Sequence, residues 1–288
     1  MGAKAEKVGF LLAESYLLLG QAERALELAQ SGKIGSGGNA ARISGEALIA
    51  MGQLDAAKLE LEKALASGSE TGRVHIMLGN LAVASGDLIA ADGHAAKAKK
   101  ILPKHPGGPL LAARIAVARN MPKRAAKQFG LVLALRPGHQ HAMLGRATAL
   151  FEAGDLKGAS TQLNEASALF ENDPKVQFLQ ARLALAKGDA DGAHRIMQMI
   201  ASDLDEDPAA LAFAGELALS RNAPAIAEIR FEQAILLDPE TLHLRYLLAK
   251  AQLAKGDPQS ARESLSHFDG LDEQPVEVAA LRQKLAAL

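Results

Sequence analysis

The sequence predicts an all-α fold, an α-solenoid of stacked helix-turn-helix repeats, and three regularities carry that prediction. Gly52, Gly86, Asn120, Gly154, Gly188, Asn222 and Gly256 recur at a constant spacing of 34 residues, a period that belongs to a stacked array rather than to one globular core. An alanine stands five residues after each of these markers, at Ala57, Ala91, Ala125, Ala159, Ala193, Ala227 and Ala261. A small residue stands seven before it, at Gly45, Gly79, Ala113, Ala147, Ala181, Gly215 and Ala249. Small residues at fixed places on two helices let them approach closely, so every repeat must contain the same contact.

The elements follow in order from that grid. Gly and Asn enter the left-handed backbone region most readily, so each marker ends one helix. Asp87, Asp155, Asp189 and Asp257 come directly after their glycines, where an acidic side chain can cap the next helix. Pro122, Pro224 and Pro258 stand two residues past their markers, in a first helical turn that tolerates a missing N–H. The seventh repeat shows the pattern well: Ala209 to Arg221 form a first helix, Pro224 to Leu236 a second, and Asp238-Pro239 the exit. Phe129 and Phe231 fall four residues after the repeated alanine.

The first repeat has its marker at Gly20, 32 residues before Gly52, and its alanine at Ala25. Eight repeats then occupy residues 1–273, at about 6–38, 39–71, 72–105, 106–139, 140–173, 174–207, 208–241 and 242–273, and 274–288 forms a last helix. Val278, Leu281, Leu285 and Leu288 lie along one stripe of that helix, which is expected to cap the eighth repeat, with a dimer seam as the alternative. Residues 31–38, Ser-Gly-Lys-Ile-Gly-Ser-Gly-Gly, replace the usual exit. They lack the Lys-Ser/Thr pair and the preceding strand of a phosphate-binding loop, so a flexible linker is expected there.

Composition narrows the functional classes. Hydrophobic residues make up 49% and charged residues 23% of the chain, yet no apolar run is long enough to span a membrane. With no cysteine, a disulfide framework and a thiolate zinc site are both excluded. That absence suits the cytoplasm and the periplasm equally. Lys4 and Lys7 precede an apolar stretch, but Glu6 and Glu14 interrupt it and Gly20 arrives on the grid, so these residues read as the first helix rather than a secretory signal; a cleaved leader would place the chain in the periplasm. Val8, Phe10, Leu11, Leu12, Tyr16, Leu17, Leu18 and Leu19 give that helix more than one apolar face. A terminal repeat needs a polar outer side, so a further repeat or a partner chain is expected to cover it.

No catalytic constellation is present: no nucleophile elbow, zinc helix or dinucleotide fingerprint occurs. The eight histidines are scattered, and the one close pair, His139 and His141, lacks neighbouring carboxylates. No catalytic residue, metal or cofactor is therefore expected, and an enzyme ranks last among the functional classes. The run Asp205-Glu206-Asp207 before Pro208 reads as a solvated start of a helix.

Charge is unevenly placed. Between Gly93 and Phe151 there is no acid, while Lys97, Lys99, Lys100, Lys104, Arg114, Arg119, Lys123, Arg124, Lys127, Arg136 and Arg146 give eleven positive charges. Between Ile200 and Glu277 fifteen acids face six bases. Lys97, Lys99, Lys100, Lys104, Lys123, Arg124 and Lys127 fall on second helices and turns and form a candidate basic surface, suited to an acidic protein or to self-association with the acidic C-terminal part. Nucleic acid is disfavoured, because the block carries almost no aromatic rings on which bases could stack.

The small residue on the first helix, Gly at the turn, Ala and a large apolar residue on the second helix and Pro at the exit together resemble the tetratricopeptide repeat pattern over nearly the whole chain. The departure is aromatic: Trp is absent and only two Tyr occur. The resemblance implies a right-handed superhelix in which first helices line a concave groove that holds an extended or helical segment of a partner protein. On that register the groove carries Phe10, Ile76, Leu110, Leu144, Phe178 and Tyr246 ten before the marker, with Arg42 and Ala212 in the same row. Leu17, Ile49, Val83, Val117, Phe151, Leu185 and Leu219 stand three before it. A polar row six before includes Glu14, Glu46, Asn80, Arg114, Arg182, Glu216 and Lys250. A largely apolar protein or peptide segment oriented by a few charges is the expected ligand. The Lys-to-Asn pairing with which chaperone-binding relatives clamp a C-terminal carboxylate is missing. A structural subunit of a bacterial envelope or polysaccharide-export assembly is the alternative role.

Overall fold

A computed structural model describes every residue except 1, 36, 69, 70, 272 and 288. Contacts divide it into an N-terminal body, Met1–Asp155, and a C-terminal body, Leu156–Leu288. Among the described residues, both bodies are helical hairpins stacked in chain order, an all-α solenoid fold.

The N-terminal body holds α1 (Gly2–Leu18), α2 (Ala22–Gln30), α3 (Gly38–Ala50), α4 (Leu54–Ala66), α5 (Thr71–Ala84), α6 (Leu88–Ile101), α7 (Gly107–Ala118), α8 (Pro122–Leu135) and α9 (Gln140–Glu152). The C-terminal body holds α10 (Leu156–Leu169), α11 (Pro174–Ala186), α12 (Ala190–Met199), α13 (Pro208–Ser220), α14 (Pro224–Leu237), α15 (Leu242–Lys255), α16 (Pro258–Ser266) and α17 (Val276–Ala286). Within each body helices pack mainly on their sequence neighbours, and first helices also touch, as α1 does α3 and α5 does α7.

The markers do what their chemistry allows. All eight adopt positive φ, Asn120 and Asn222 included. At seven of the eight markers the following residue donates its N–H back to a carbonyl five residues earlier, as Gln53 does to Leu48 and Asp257 to Gln252 at 2.9 Å. That bond closes the exposed C-terminal carbonyls of the first helix. The next helix then starts on a cap: Asp87, Asp189 and Asp257 accept N–H bonds from Ala90, Gly192 and Ser260. Asp207, from the acidic run read as a solvated helix start, caps α13 by accepting from Ala209 and Ala210.

The two small-residue rows meet in the core. The repeated alanines are fully buried, and no side chain fits at Gly45, Gly79 or Gly215, where a Cβ would stand 2.6, 2.3 and 2.5 Å from Leu61, Leu111 and Phe231.

From the second repeat onward the length of the second helix follows the residue twelve after the marker, whereas in the first repeat α2 runs only 9 residues with Gly32 at that place. Where it is Ala64, Ala98, Val132, Ala166 or Ala234, the helix runs 13 or 14 residues. Where it is Ile200 or Phe268, the helix stops after 10 or 9 residues, and the large side chain is buried just beyond its end. A small residue lets the last turn lie against the following first helix. A large one fills that space only by leaving the helix.

Two expectations change. The glycine-rich joint, expected as a flexible linker, is anchored: Ile34 is buried with Ala25 and Ile43, and the Lys33 carbonyl would stand 2.8 Å from a Cβ at Gly9; Ser36 of that segment lies outside the described residues. Arg42, placed by register in the groove row, is fully buried. Its guanidinium donates to Glu14 and Glu46 at 2.8 Å each and lies over the Phe10 ring at 5.2 Å. At the chain ends, Val278, Leu281 and Leu285 of α17 pack on Ala261, Leu265 and Phe268, with Leu288 outside the described residues. Val8, Leu11, Leu12, Leu18 and Leu19 leave an exposed apolar face on α1, Leu18 at 89%.

Candidate functional site

The residues expected to line a groove lie on first helices, whose buried alanine and glycine rows face the hairpin partner. In the N-terminal body Phe10 and Leu17 are half-buried against Ala13, Ala25 and Ile43, and Ile49 against Leu61 and Val74. Val83 leans on Ala91, Leu111 and Ile115, and Leu110 on the cluster around Ala113 and Phe129. Ile76, Leu144 and Phe151 are half-buried, and Val117 is exposed. In the C-terminal body Phe178 and Leu185 pack on Ala181, Met197 and Phe213, while Leu219 and Tyr246 flank Leu211, Phe231 and Leu247. These side chains therefore present one edge to solvent and give the other to the core.

The polar row is engaged within the chain. Arg114 Nη1 donates to Asn80 Oδ1 at 3.0 Å across one whole repeat. Arg182 lies over the Phe178 ring at 6.0 Å and Lys250 over the Tyr246 ring at 5.6 Å, one helical turn apart in each case. Phe178 also meets Phe213 edge to face, ring centres 5.6 Å apart. In both cases an aromatic ring and a cation stand side by side on one face of a first helix. Arg114 and Lys250 remain exposed.

The basic residues Lys97, Lys99 and Lys100 are exposed on α6, Lys123, Arg124 and Lys127 on α8, and Lys104 in the connection after α6. They belong to second helices and their exits, apart from the groove rows. No cluster of three metal-ligating residues occurs among the described residues. His139 caps α9, its Nδ1 accepting from the Ala142 N–H at 3.3 Å, and His141 stacks edge-on against Phe129.

Sequence reading missed a histidine pair, because the grid brings its members together only across a hairpin. His75 on α5 and His94 on α6 hold their Nδ1 atoms 2.9 Å apart, with His75 only 8% exposed. One ring must donate and the other accept, so at least one is neutral. Burial lowers both pKa values, reinforced at His75 by His94 and at both by Lys97; Lys58 lowers His94 further, while Glu62 and Asp87 oppose the shift. A lowered folded pKa means that the unfolded chain binds more protons, so stability is full above the ordinary histidine value and declines as pH falls below about 6.5. Protection factors of the α5 and α6 amides, corrected for the intrinsic slowing of exchange at lower pH, are expected to fall from pH 7.5 to 5.5, and a His75→Phe/His94→Leu variant to flatten that slope. An unchanged slope would remove the pair as its cause.

Tetratricopeptide repeat family models match residues 8–31, 116–183 and 214–267. No curated protein matches the sequence. Among solved structures, a tetratricopeptide repeat protein from Parabacteroides merdae is similar with a TM-score of 0.70 at 17% identity, covering 87% of this chain and 99% of that one. A chain of the APC/C heterotetramer Cut9-Hcn1 is similar with a TM-score of 0.77 at 15% identity, over 95% of this chain and 54% of that one. Pseudomonas aeruginosa pilF is similar with a TM-score of 0.58 at 16% identity, over 75% and 98%. Likeness at these identities concerns the fold, which serves generally as a scaffold for protein interaction. The left-handed markers, the buried small-residue rows and the matched stretches agree: the chain belongs to the tetratricopeptide repeat family.

Proposed function

We propose that this protein is an interaction scaffold whose first helices hold an extended or helical, largely apolar segment of a partner protein. The observation that carries the reading is the pairing of a half-buried aromatic with a cation one turn later, Phe178 with Arg182 and Tyr246 with Lys250. Their rings are fixed by core packing on one side and open on the other, so a partner meets them with little loss of side-chain freedom. The cations favour a carboxylate beside the apolar anchor. In the N-terminal body, the exposed lysines of α6 and α8 suit an acidic partner surface.

The test is a pull-down from the native source with Phe178→Glu and Leu185→Glu. Both side chains are only half-buried, and circular dichroism checks that the repeats remain folded. Loss of a partner held by the unaltered protein, with affinity falling about tenfold or more, is the expected result. Unchanged retention would reject the first-helix face and direct attention to the second helices.

A further inference from the structure

A deep cavity of the C-terminal body lies outside the first-helix face. It opens between α12 and α14, with α13 as its floor, and encloses about 200 Å³. Its origin is the short second helix of the sixth repeat. Ile200 ends α12 early, a 3₁₀ turn at Ala201–Asp203 follows, and the missing helical turn leaves the side of α13 uncovered. Met197, Leu204, Ala214, Leu217 and Ile226 supply apolar walls.

Two cations stand at the mouth. Arg221 and Arg230 line it, with His194 beside them and Asp205 as the one acid of the lining. Arg221 also pairs with Asp191 at 3.4 Å, and Arg230 donates to Gln233. Desolvation, then Arg221, lowers the His194 pKa, and Asp191 opposes the shift. Two of the only six bases that face fifteen acids between Ile200 and Glu277 thus meet at this cavity, balanced in part by Asp191 and Asp205.

We infer that this cavity binds a small carboxylate amphiphile, its alkyl or aromatic tail between α12 and α14 and its anionic head on Arg221 and Arg230. An apolar cavity of about 150 Å³ takes a benzene, so this one accommodates a single tail of somewhat greater bulk. A peptide main chain entering it would lose its water against apolar walls without recovering hydrogen bonds. A free acid leaves its only polar group at the mouth. The site is independent of the first-helix face and stands or falls separately from it.

Octanoate is the probe, titrated into the full ¹⁵N-labelled chain. Saturable shifts at Leu204, Ala214 and Ile226 are expected, with octylamine at least about tenfold weaker. Ile226 is 55% exposed, so Ile226→Glu leaves the fold intact while placing a negative charge in the mouth. It should weaken octanoate about tenfold, and Arg221→Gln/Arg230→Gln about fivefold or more. No saturable shift up to about 5 mM, equal binding of octylamine, or shifts confined to other helices would overturn the proposal. So would tighter binding of a blocked Phe-Glu peptide at the same residues, which would assign the cavity to a protein side chain.

Discussion

Replacing Arg42 with methionine is expected to lower the unfolding free energy of the N-terminal body by about 3 kcal/mol. The guanidinium is fully buried, whereas the side chains of Glu14 and Glu46 remain 28% and 35% exposed. Methionine keeps much of the volume over the Phe10 ring but leaves two carboxylates facing each other with no cation between them. Arg73, 3.5 Å from Glu14, offsets part of that repulsion from the surface. Removing the whole charge set has a smaller consequence. A Glu14→Leu/Arg42→Met/Glu46→Leu variant should recover most of the loss, because it no longer strands a charge. Urea unfolding, followed by exchange protection in α1 and α3, measures both. Equal stability of the single variant and the unaltered chain would show that the ion pairs contribute nothing net.

Gly215→Val is expected to have the largest effect in the C-terminal body, about 3 kcal/mol. A Cβ at this position would stand 2.5, 2.7 and 2.8 Å from three atoms of the Phe231 ring, which is itself fully buried and cannot swing away. Either α13 and α14 separate or the ring leaves its rotamer, and both disturb the hairpin. Phe231→Leu placed beside Gly215→Val should restore part of the stability by giving the new methyls room. Gly93 provides the contrast. It lies inside α6, and a methyl group added there would meet nothing within 4 Å, so Gly93→Ala should stabilise by about 0.5–1 kcal/mol through helix propensity alone. Thermal melts of the three variants separate the clash from propensity, and a neutral Gly215→Val would refute the close approach. Because neighbour contacts dominate a stacked array, loss is expected to begin in the affected repeat.

The repeat architecture was legible because it depends on local backbone chemistry. A Gly or Asn at the marker, a carboxylate or proline after it and a small residue on each facing helix act within one hairpin, so linear spacing suffices to place them. Surface chemistry was legible only in part. The grid put Phe178, Leu185, Leu219 and Tyr246 on first helices, but not the edge-to-face contact of Phe178 with Phe213 or the stacking of Arg182 and Lys250 on their aromatics. Arg42 occupied a groove register and is nevertheless buried, because Glu14 of the preceding repeat reaches it from 28 residues away.

By itself the sequence determined the all-α repeat fold, the turn at each marker and the close contact inside each hairpin, since a 34-residue period of backbone-directing residues admits few alternatives. Tertiary structure alone decided which charges are consumed by neighbours, that His75 and His94 share a hydrogen bond, and that Ile200 ends α12 and opens a cavity over α13. The physical reason is one of range. Helix ends are governed by residues a few positions apart, whereas burial and pairing depend on side-chain volumes from successive repeats that meet only after the hairpins stack.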